Sequence, residues 1–383
     1  MPQLTRKRSI LAKIESTYGT DSVPTGAANA ILIKNLNVTP LASTIVGRDL
    51  IRPYFGEFDQ LTANTHVECD FEVEMAGAGT AGTAPAYGPL LRACAMSETL
   101  IAAAVTGTAQ AGSTTSITLA VGSSAVDGFY VGAVLTTTGG TGSGQTATIT
   151  AYNGTTKVAS ATFSVAPGAT TTYSIAAGAY YKPLSATLES VSMYFNVDGV
   201  QHKILGARGT VELSIAVNTI PTYKFKFTGI YSAPTDTALP TNVYTAFQTP
   251  LVANNTNTSG FSLFSVSGFV LESMMVNINN SVDYRSLIGS EYVQITDRRV
   301  NGEFTVEAVS MATFNAFSTA IGTTTGAVSI THGTAAGNKV KIDGYKIDLT
   351  QPSYADNNGV NMLKSTFVAL PTAGNDEFSI AVL

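Results

Sequence analysis

The most constraining feature of the sequence is a strict alternation of apolar and polar residues between Thr65 and Met75. This period of two predicts a β-strand with one buried face and one solvated face. The polar face carries four carboxylates, and like charges two residues apart on a strand repel each other. An isolated domain gains nothing from such a pattern, so we expect the acidic face to serve something outside the fold. The carboxylates are Glu68, Asp70, Glu72 and Glu74.

A weaker copy of the strand lies at Val300–Glu307, where Glu303, Thr305 and Glu307 alternate with apolar or small residues. The two copies share a Phe-x-Val-Glu core and similar flanking segments in the same order. Self-similarity of this kind predicts an internal duplication, with chance likeness between β-rich segments as the alternative. The flanking matches are Arg48–Ile51 with Arg285–Ile288, and predicted short helices at Gly88–Met96 and Met311–Ala320.

Composition favours a well-packed protein whose surface is covered by partners. Hydrophobic residues make up 44% of the 383 residues and charged ones only 12%, which argues against disorder. The net charge of −5 argues against free binding of nucleic acid. We predict a mainly β protein with two tandem β-sandwich or barrel domains, each with one short flanking α-helix, plus a small inserted β domain.

Domain boundaries follow from shifts in composition. The stretch 103–178 contains only Asp127 and Lys157 as charged residues, and its removal leaves halves of similar length. The turn-rich start suits either an interaction arm or a frayed terminus. The predicted divisions are an arm at 1–30, a first domain at 31–102 and 179–230, an insert at 103–178, a linker at 231–262 and a second domain at 263–383.

No signal peptide pattern and no run long enough for a transmembrane helix is visible. The sequence therefore predicts a soluble protein that is made in a cytoplasm and does not bind membranes. Cys69 and Cys94 are too few for a disulfide framework, and we expect both to be free, buried thiols.

No motif predicts catalysis, a cofactor or a metal site. The Gly-rich segment Gly139–Thr146 lacks the lysine and the helix of a phosphate-binding loop and indicates a hairpin turn instead. His66, His202 and His332 lie far apart without ligands at zinc spacing. Glu68 and Glu72 would lie about 13 Å apart on one strand face, too far for a glycosidase pair.

Two polar loops concentrate charge of both signs, Gly47–Thr65 and Ser281–Arg299. Mixed charges suit salt bridges between copies of one protein better than binding of a ligand with a single charge. Long loops of this kind are usually functional. The candidate contact residues are Arg48, Asp49, Arg52, Arg285, Asp297, Arg298 and Arg299.

Several segments, in order along the chain, resemble bacteriophage tail tube proteins. The likeness covers nearly everything except residues 103–178, where Gly139–Ala151 is similar to a Gly-rich hairpin of accessory virion domains. None of these segments is catalytic, so the likeness depends on their number and order. They are Lys13–Asp21, Leu36–Pro40, Gly47–Tyr54, Gly206–Ser214, Lys224–Tyr231, Val300–Glu307, Tyr354–Gly359 and Gly374–Glu377.

The resemblance implies the major tail tube subunit of a long, non-contractile tail, located in the virion and assembled in the host cytoplasm. In this family, sheets join between subunits into a tube of stacked hexameric rings, and a chain with two such domains would form the ring as a homotrimer. Implied partners are further copies, a tape-measure protein, and the tail terminator and distal tail proteins. DNA would pass during genome ejection without specific binding, and no cofactor is implied.

Within such a tube, we expect Glu68, Asp70, Glu72 and Glu74, with Glu303, Thr305 and Glu307, to face the lumen; an acidic outer wall is the alternative. The charged loops and the N-terminal arm would then bind the next ring. A surface β-adhesin or another virion decoration protein remains a different reading, but an adhesin should carry a signal peptide. A carbohydrate-active enzyme should show convergent carboxylates and aromatic platforms, and the sequence has no Trp.

Overall fold

The computed structural model describes residues 3–383, and the fold over these residues is mainly β, as predicted. Strands account for almost all regular structure, and the three helices are short. The strands form two main structural parts. A large sheet runs through both halves of the chain, and a separate unit is formed by the region that was predicted to be an insert.

The first half begins within the predicted arm, which is not an exposed segment over its whole length. Strand β1 pairs with a later strand from Arg8 to Ile14, because its Ile-Leu-Ala run is apolar and becomes fully buried. The elements up to the insert are β1 (Arg8–Ile14), α1 (Gly26–Asn29), β2 (Ala30–Ile31), β3 (Lys34–Val46), β4 (Leu61–Glu74), α2 (Gly88–Ala93) and β5 (Met96–Ile101).

Residues 103–178 form two small four-stranded sheets around a core of their own. The two charged residues of this region are used internally. Asp127 accepts a hydrogen bond from the Gly154 amide, and Lys157 donates to two carbonyls. The strands are β6 (Val105–Thr108), β7 (Ala111–Ser113), β8 (Ser116–Thr118), β9 (Val134–Gly139), β10 (Thr146–Thr148), β11 (Ala151–Asn153), β12 (Val158–Ser160) and β13 (Thr172–Ile175).

The chain then returns to the first half with long strands. The region predicted as a linker, 231–262, is mostly irregular but contains a short strand near its start and the beginning of another at its end. The remaining elements of the first half are β14 (Gly178–Pro183), β15 (Val191–Val197), β16 (Val200–Ala216), β17 (Thr222–Tyr231) and β18 (Thr235–Asp236).

The second half contains a long hairpin made of two separate strands, residues 280–287 and 290–298. At the corresponding place in the first half, β3 and β4 themselves are longer. The elements of the second half are β19 (Thr258–Leu263), β20 (Val266–Ser267), β21 (Leu271–Asn277), β22 (Asn280–Leu287), β23 (Ser290–Arg298), β24 (Asn301–Glu307), α3 (Ala316–Ile321), β25 (Gly326–His332), β26 (Val340–Asn357), β27 (Val360–Ala369) and β28 (Phe378–Val382).

Both predicted helices exist, but they are shorter than expected. Helix α2 begins with Pro89 in its first turn and ends before Ala95, whose φ of 59° is left-handed and starts the turn into β5. Helix α3 begins only at Ala316, where the Asn315 side chain accepts a hydrogen bond from the Ser318 amide as an N-cap.

Elements of the two halves correspond in order and in pairing. β15, β16 and β17 have the same mutual pairing as β25, β26 and β27, and β1 flanks β15 as β19 flanks β25. β4 and β24 carry the Phe-x-Val-Glu core and pair with β17 and β27. This register makes Phe71 equivalent to Phe304 and Lys224 equivalent to Lys364.

One sheet of eight strands joins the halves, and we call it the joint sheet. Its order is β3-β4-β17-β16-β21-β24-β27-β26, and every neighbouring pair is antiparallel. The junction is the pairing of β16 with β21, from Glu212 opposite Asn277 to Ala216 opposite Ser273. One face packs on the core, with Phe71, Phe225 and Phe304 fully buried, and the other is the open face.

A second contact between the halves lies outside the joint sheet. Strand β14 pairs with β5 on one side and with the C-terminal strand β28 on the other. Since β5 and β14 belong to the first half and β28 to the second, the β14–β28 pairing is a second direct contact between the halves.

Candidate functional site: the open face, edges and loops of the joint sheet

The open face carries the acidic residues that the alternation predicts there. On β4, Val67, Cys69, Phe71 and Val73 are fully buried, whereas the intervening carboxylates are partly exposed. On β24, Phe304 and Val306 are buried while Glu303 and Thr305 are partly exposed and Glu307 is exposed. The joint sheet therefore brings together the two acidic strands, with β17, β16 and β21 between them.

Lysines on neighbouring strands partly neutralise this face, and the sequence reasoning missed them. Lys224 and Lys226 of β17 lie opposite Glu72 and Asp70 in the ladder. Lys34 Nζ is 3.7 Å from Glu72, and Lys364 Nζ is 3.3 Å from Glu303. The signal was present, because the lysines alternate with aromatic residues in the stretch 223–227.

The face keeps an excess of negative charge after these contacts. Cross-strand pairs of opposite charge that remain solvated contribute up to about 1 kcal/mol each, so they align strands without making the face apolar. The carboxylates are Glu68, Asp70, Glu72, Glu74, Glu212, Glu303 and Glu307, against the lysines Lys34, Lys224, Lys226 and Lys364.

Both outer edges of the joint sheet are open among the described residues. β3 pairs only with β4, and the last part of β26, residues 353–357, pairs only with β27. The equivalent part of β16 pairs on both sides, with β17 and with β21. The contrast is visible in side chains, since Leu213 of β16 is 1% exposed and its equivalent Tyr354 is 50% exposed.

The first charged loop, between β3 and β4, makes contacts mainly within itself. Arg48 Nη1 lies 2.6 Å from Asp59 Oδ1 in an exposed ion pair. The Arg52 guanidinium stacks on the rings of Tyr54 and Phe58 at 4.7 and 4.2 Å. Asp49 is exposed, and so are the apolar side chains Leu50, Ile51, Tyr54 and Phe55.

The second charged segment is the β22–β23 hairpin, and its residues fall into two groups. Arg285, Asp297 and Arg299 are at the surface, with Arg299 Nε 3.2 Å from Asp297 Oδ2. Arg298 is instead occupied within the chain: its Nε donates to Glu377 at 2.7 Å, and its other nitrogens donate to Leu184 and Asn375. Arg298 is therefore a structural residue in the single chain.

A comparison with protein families decides the class of the protein. The sequence model of a family described as phage tail tube protein matches residues 5–367, which is nearly the whole chain. The chain belongs to the phage tail tube protein family. A search of the curated proteins found no match. As a tail tube protein, it is a structural component of the virion tail that assembles with itself and with other tail components.

The N-terminal segment of this tail tube protein makes hydrogen bonds to both halves, and the sequence did not predict these contacts. The buried Glu15 accepts hydrogen bonds from Ser190, Ser192 and the Gly206 amide. The Tyr18 hydroxyl accepts from the Val293 amide of the second half at 2.6 Å, and Arg208 stacks on the Tyr18 ring at 4.7 Å.

The same segment carries a strong polar contact at Asp21. Lys203 donates to its carboxylate at 2.8 Å, and the Tyr194 hydroxyl donates to both oxygens. Burial acts to raise the pKa of Asp21, but these hydrogen bonds outweigh it and hold the pKa below its usual value.

The side chains most often used for chemistry are dispersed or buried in the tail tube protein. His66 stacks on Tyr284, and burial lowers the pKa of His202 and of His332. Cys69 and Cys94 are free, and burial raises the pKa of both thiols, which disfavours the reactive thiolate.

Within residues 3–383, no group of three or more His, Cys, Asp or Glu side chains is placed to hold a metal ion. The same residues contain no helix long and apolar enough to cross a membrane. The segment Gly139–Thr146 joins β9 to β10, which pair antiparallel as a hairpin.

Proposed function

We propose that this protein is a major tail tube subunit, of which three copies close one ring and stacked rings form the conduit for genome ejection. One observation carries the proposal: the two halves are already joined by β16 and β21, and the corresponding edges at the two ends of the joint sheet are open. A long open edge is a template for pairing with another chain. The two domains of each chain then supply six positions around a three-chain ring.

The internal junction also specifies the register between chains. Within the chain, Glu212 lies opposite Asn277 and Leu213 opposite Val276. Replacing each residue by its equivalent places Ser353 of one chain opposite Thr39 of the next, and Tyr354 opposite Val38. Such pairing would satisfy the free N–H and C=O groups of both edges and cover Tyr354.

We further propose that the open face lines the lumen. The packed face is covered by the core, so the open face is the side of the sheet that remains available to a water-filled channel. Its excess of carboxylates over lysines would repel DNA phosphates and keep the passing genome from adhering. A tape-measure protein would fill the lumen before ejection, and terminator and distal tail proteins would cap the tube. Assembly would occur in the host cytoplasm, and the role requires neither catalysis nor a cofactor.

For stacking between rings, the structure favours the tip of the β22–β23 hairpin over Arg298. Ile288 at this tip is fully exposed, and Arg285 lies close to it at the surface. Arg298 is bound to Glu377 within the chain, which leaves it less available for a contact with the next ring.

The edge pairing is tested by Tyr354→Asp, with Val121→Asp as the matched control. Both side chains are at least half exposed in the single chain, so neither charge should prevent folding. Ring closure would bury only position 354, where an unpaired carboxylate is costly. We expect rings and tubes from the wild type and the control by electron microscopy, and folded single chains from Tyr354→Asp. Normal tubes from Tyr354→Asp would refute the edge pairing, and a wild type that never assembles would refute the function.

A further inference from the structure

The hairpin of the second half covers one end of the first half. Tyr284 of β22 stacks on His66 of β4, with ring centroids 4.9 Å apart. Val293 of β23 is fully buried and receives a hydrogen bond from Arg208 of β16 at 2.8 Å. The hairpin thus closes the end of the sheet at which β4 begins and β17 ends.

The equivalent end of the second half is open. In the register that equates Phe71 with Phe304, His66 corresponds to Arg299 and Thr228 to Val368. Around these positions lies a groove of about 860 Å³. Its lining includes Leu184, Ile295, Arg299, Val300, Val368 and Ala369.

The chain has one segment that matches this groove. The loop between β3 and β4, residues 47–60, repeats the Arg-x-Leu-Ile sequence of the β22–β23 hairpin, at Arg48–Ile51 and Arg285–Ile288. Its apolar side chains Ile51 and Phe55 are fully exposed. It also extends from β3, the open edge that the proposed ring sets beside β26 of the next chain.

The groove lining carries charges of both signs, Asp297 and Glu377 against Arg298 and Arg299. Glu377 is buried and already paired with Arg298 at 2.7 Å, so its charge is balanced within the chain. The loop also carries charges of both signs, Arg48 and Arg52 against Asp49, Glu57 and Asp59. Net charge therefore does not oppose the contact, and the exposed apolar side chains of the loop would pack on the apolar part of the groove lining.

We propose that the 47–60 loop of one chain seats in this groove of the neighbouring chain of the same ring, as the β22–β23 hairpin seats on the first half within one chain. The inference rests on the proposed ring and assigns this loop to a lateral contact instead of stacking. Each boundary between neighbouring chains would then hold two contacts, the pairing of β26 with β3 and the seated loop. We call the seated loop the clasp.

Cysteine cross-linking tests the clasp. The alignment of Arg48–Ile51 with Arg285–Ile288 makes Gly47 equivalent to Tyr284. The alignment of Phe71 with Phe304 makes Arg299 equivalent to His66. Gly47→Cys of one chain should therefore meet Arg299→Cys of the next. A Cβ at Gly47 would meet no atom within 4 Å, and Arg299 is exposed, so both variants should fold. The native Cys69 and Cys94 are buried and should not react.

After mild oxidation of assembled rings, chains carrying Gly47→Cys and mixed with chains carrying Arg299→Cys should yield disulfide-linked heterodimers. The double variant should yield linked species no larger than one ring, and Ser290→Cys with Arg299→Cys should yield none in isolated rings. Well-formed rings without links, or linked species that exceed one ring in mass, would overturn the lateral clasp. Absence of rings from the wild type would instead count against the proposed function.

Discussion

At the scale of residues, Arg298 is the clearest case of a side chain whose role depends on the folded chain. The side chain is 12% exposed and joins the end of β23 to the segment 371–377 and to the Leu184 carbonyl. Its neighbour Arg299 is 80% exposed and pairs only with Asp297. The two adjacent arginines therefore contribute differently to the free energy of unfolding.

We predict that Arg298→Ala lowers the free energy of unfolding by about 3–5 kcal/mol, because Glu377 would remain buried without its partner. Arg299→Ala should change it by no more than about 0.5 kcal/mol, as expected for a solvated side chain. Urea denaturation of both variants measures the difference. Equal, small effects would show that the Arg298–Glu377 pair is not a structural contact.

The sequence predicted burial for residues on strands with a regular apolar–polar alternation. It did not predict contacts between residues that are far apart in sequence. Alternation alone predicted which side chains of β4 and β24 would be buried. It did not predict that Lys224 and Lys226 would lie opposite Glu72 and Asp70, because the pairing of β17 with β4 is a long-range contact. The bond from Arg298 to Glu377 likewise joins residues 79 positions apart.

At the scale of elements, the insert is attached in a way that permits its removal. Ile101 of β5 and Gly178 of β14 are paired neighbours, so the insert replaces the turn of a β-hairpin. Its core extends onto Tyr180 and Ala381 at the surface of the main body. We propose that residues 103–178 are a peripheral unit and that ring closure does not require them.

We predict that replacing residues 102–177 by an Asn-Gly turn, together with Tyr180→Thr to reduce exposed apolar surface, leaves ring formation intact. Asn-Gly favours the tight turn that a two-residue hairpin needs. Electron microscopy of the shortened chain tests this, with Tyr180→Thr in the full-length chain as control. A shortened chain that is soluble and folded but forms no rings would contradict the peripheral role.

Element boundaries were the least predictable part of the fold, for identifiable reasons. Helix α2 ends early because Ala95 and Met96 enter the turn and strand that pair with β14. β1 was not predicted as a strand because its short apolar run is flanked by Arg6, Lys7, Arg8 and Lys13. Both outcomes depend on strands far away in sequence, which local patterns do not reveal.

At the scale of the whole molecule, one chain supplies two linked positions of the proposed ring. The likeness of Val300–Glu307 to the strand at Thr65–Met75 suggested this from sequence. The structure adds the β16–β21 junction, which lies between strands more than 50 residues apart and could not be inferred from local patterns. It also adds the β14–β28 pairing, and the second half has no strand between α3 and β25 that would correspond to β14, so the proposed ring has threefold and only approximate sixfold symmetry.

An electron cryomicroscopy map of the assembled tube in cross-section is the most direct test of this account. We predict three chains in each ring, with the eight strands of every joint sheet continuing through β26 and β3 into the next chain. Glu68, Asp70, Glu303 and Glu307 should point into the channel. A ring of six chains, a gap between β26 and β3 of adjacent chains, or these carboxylates on the outer wall would contradict it.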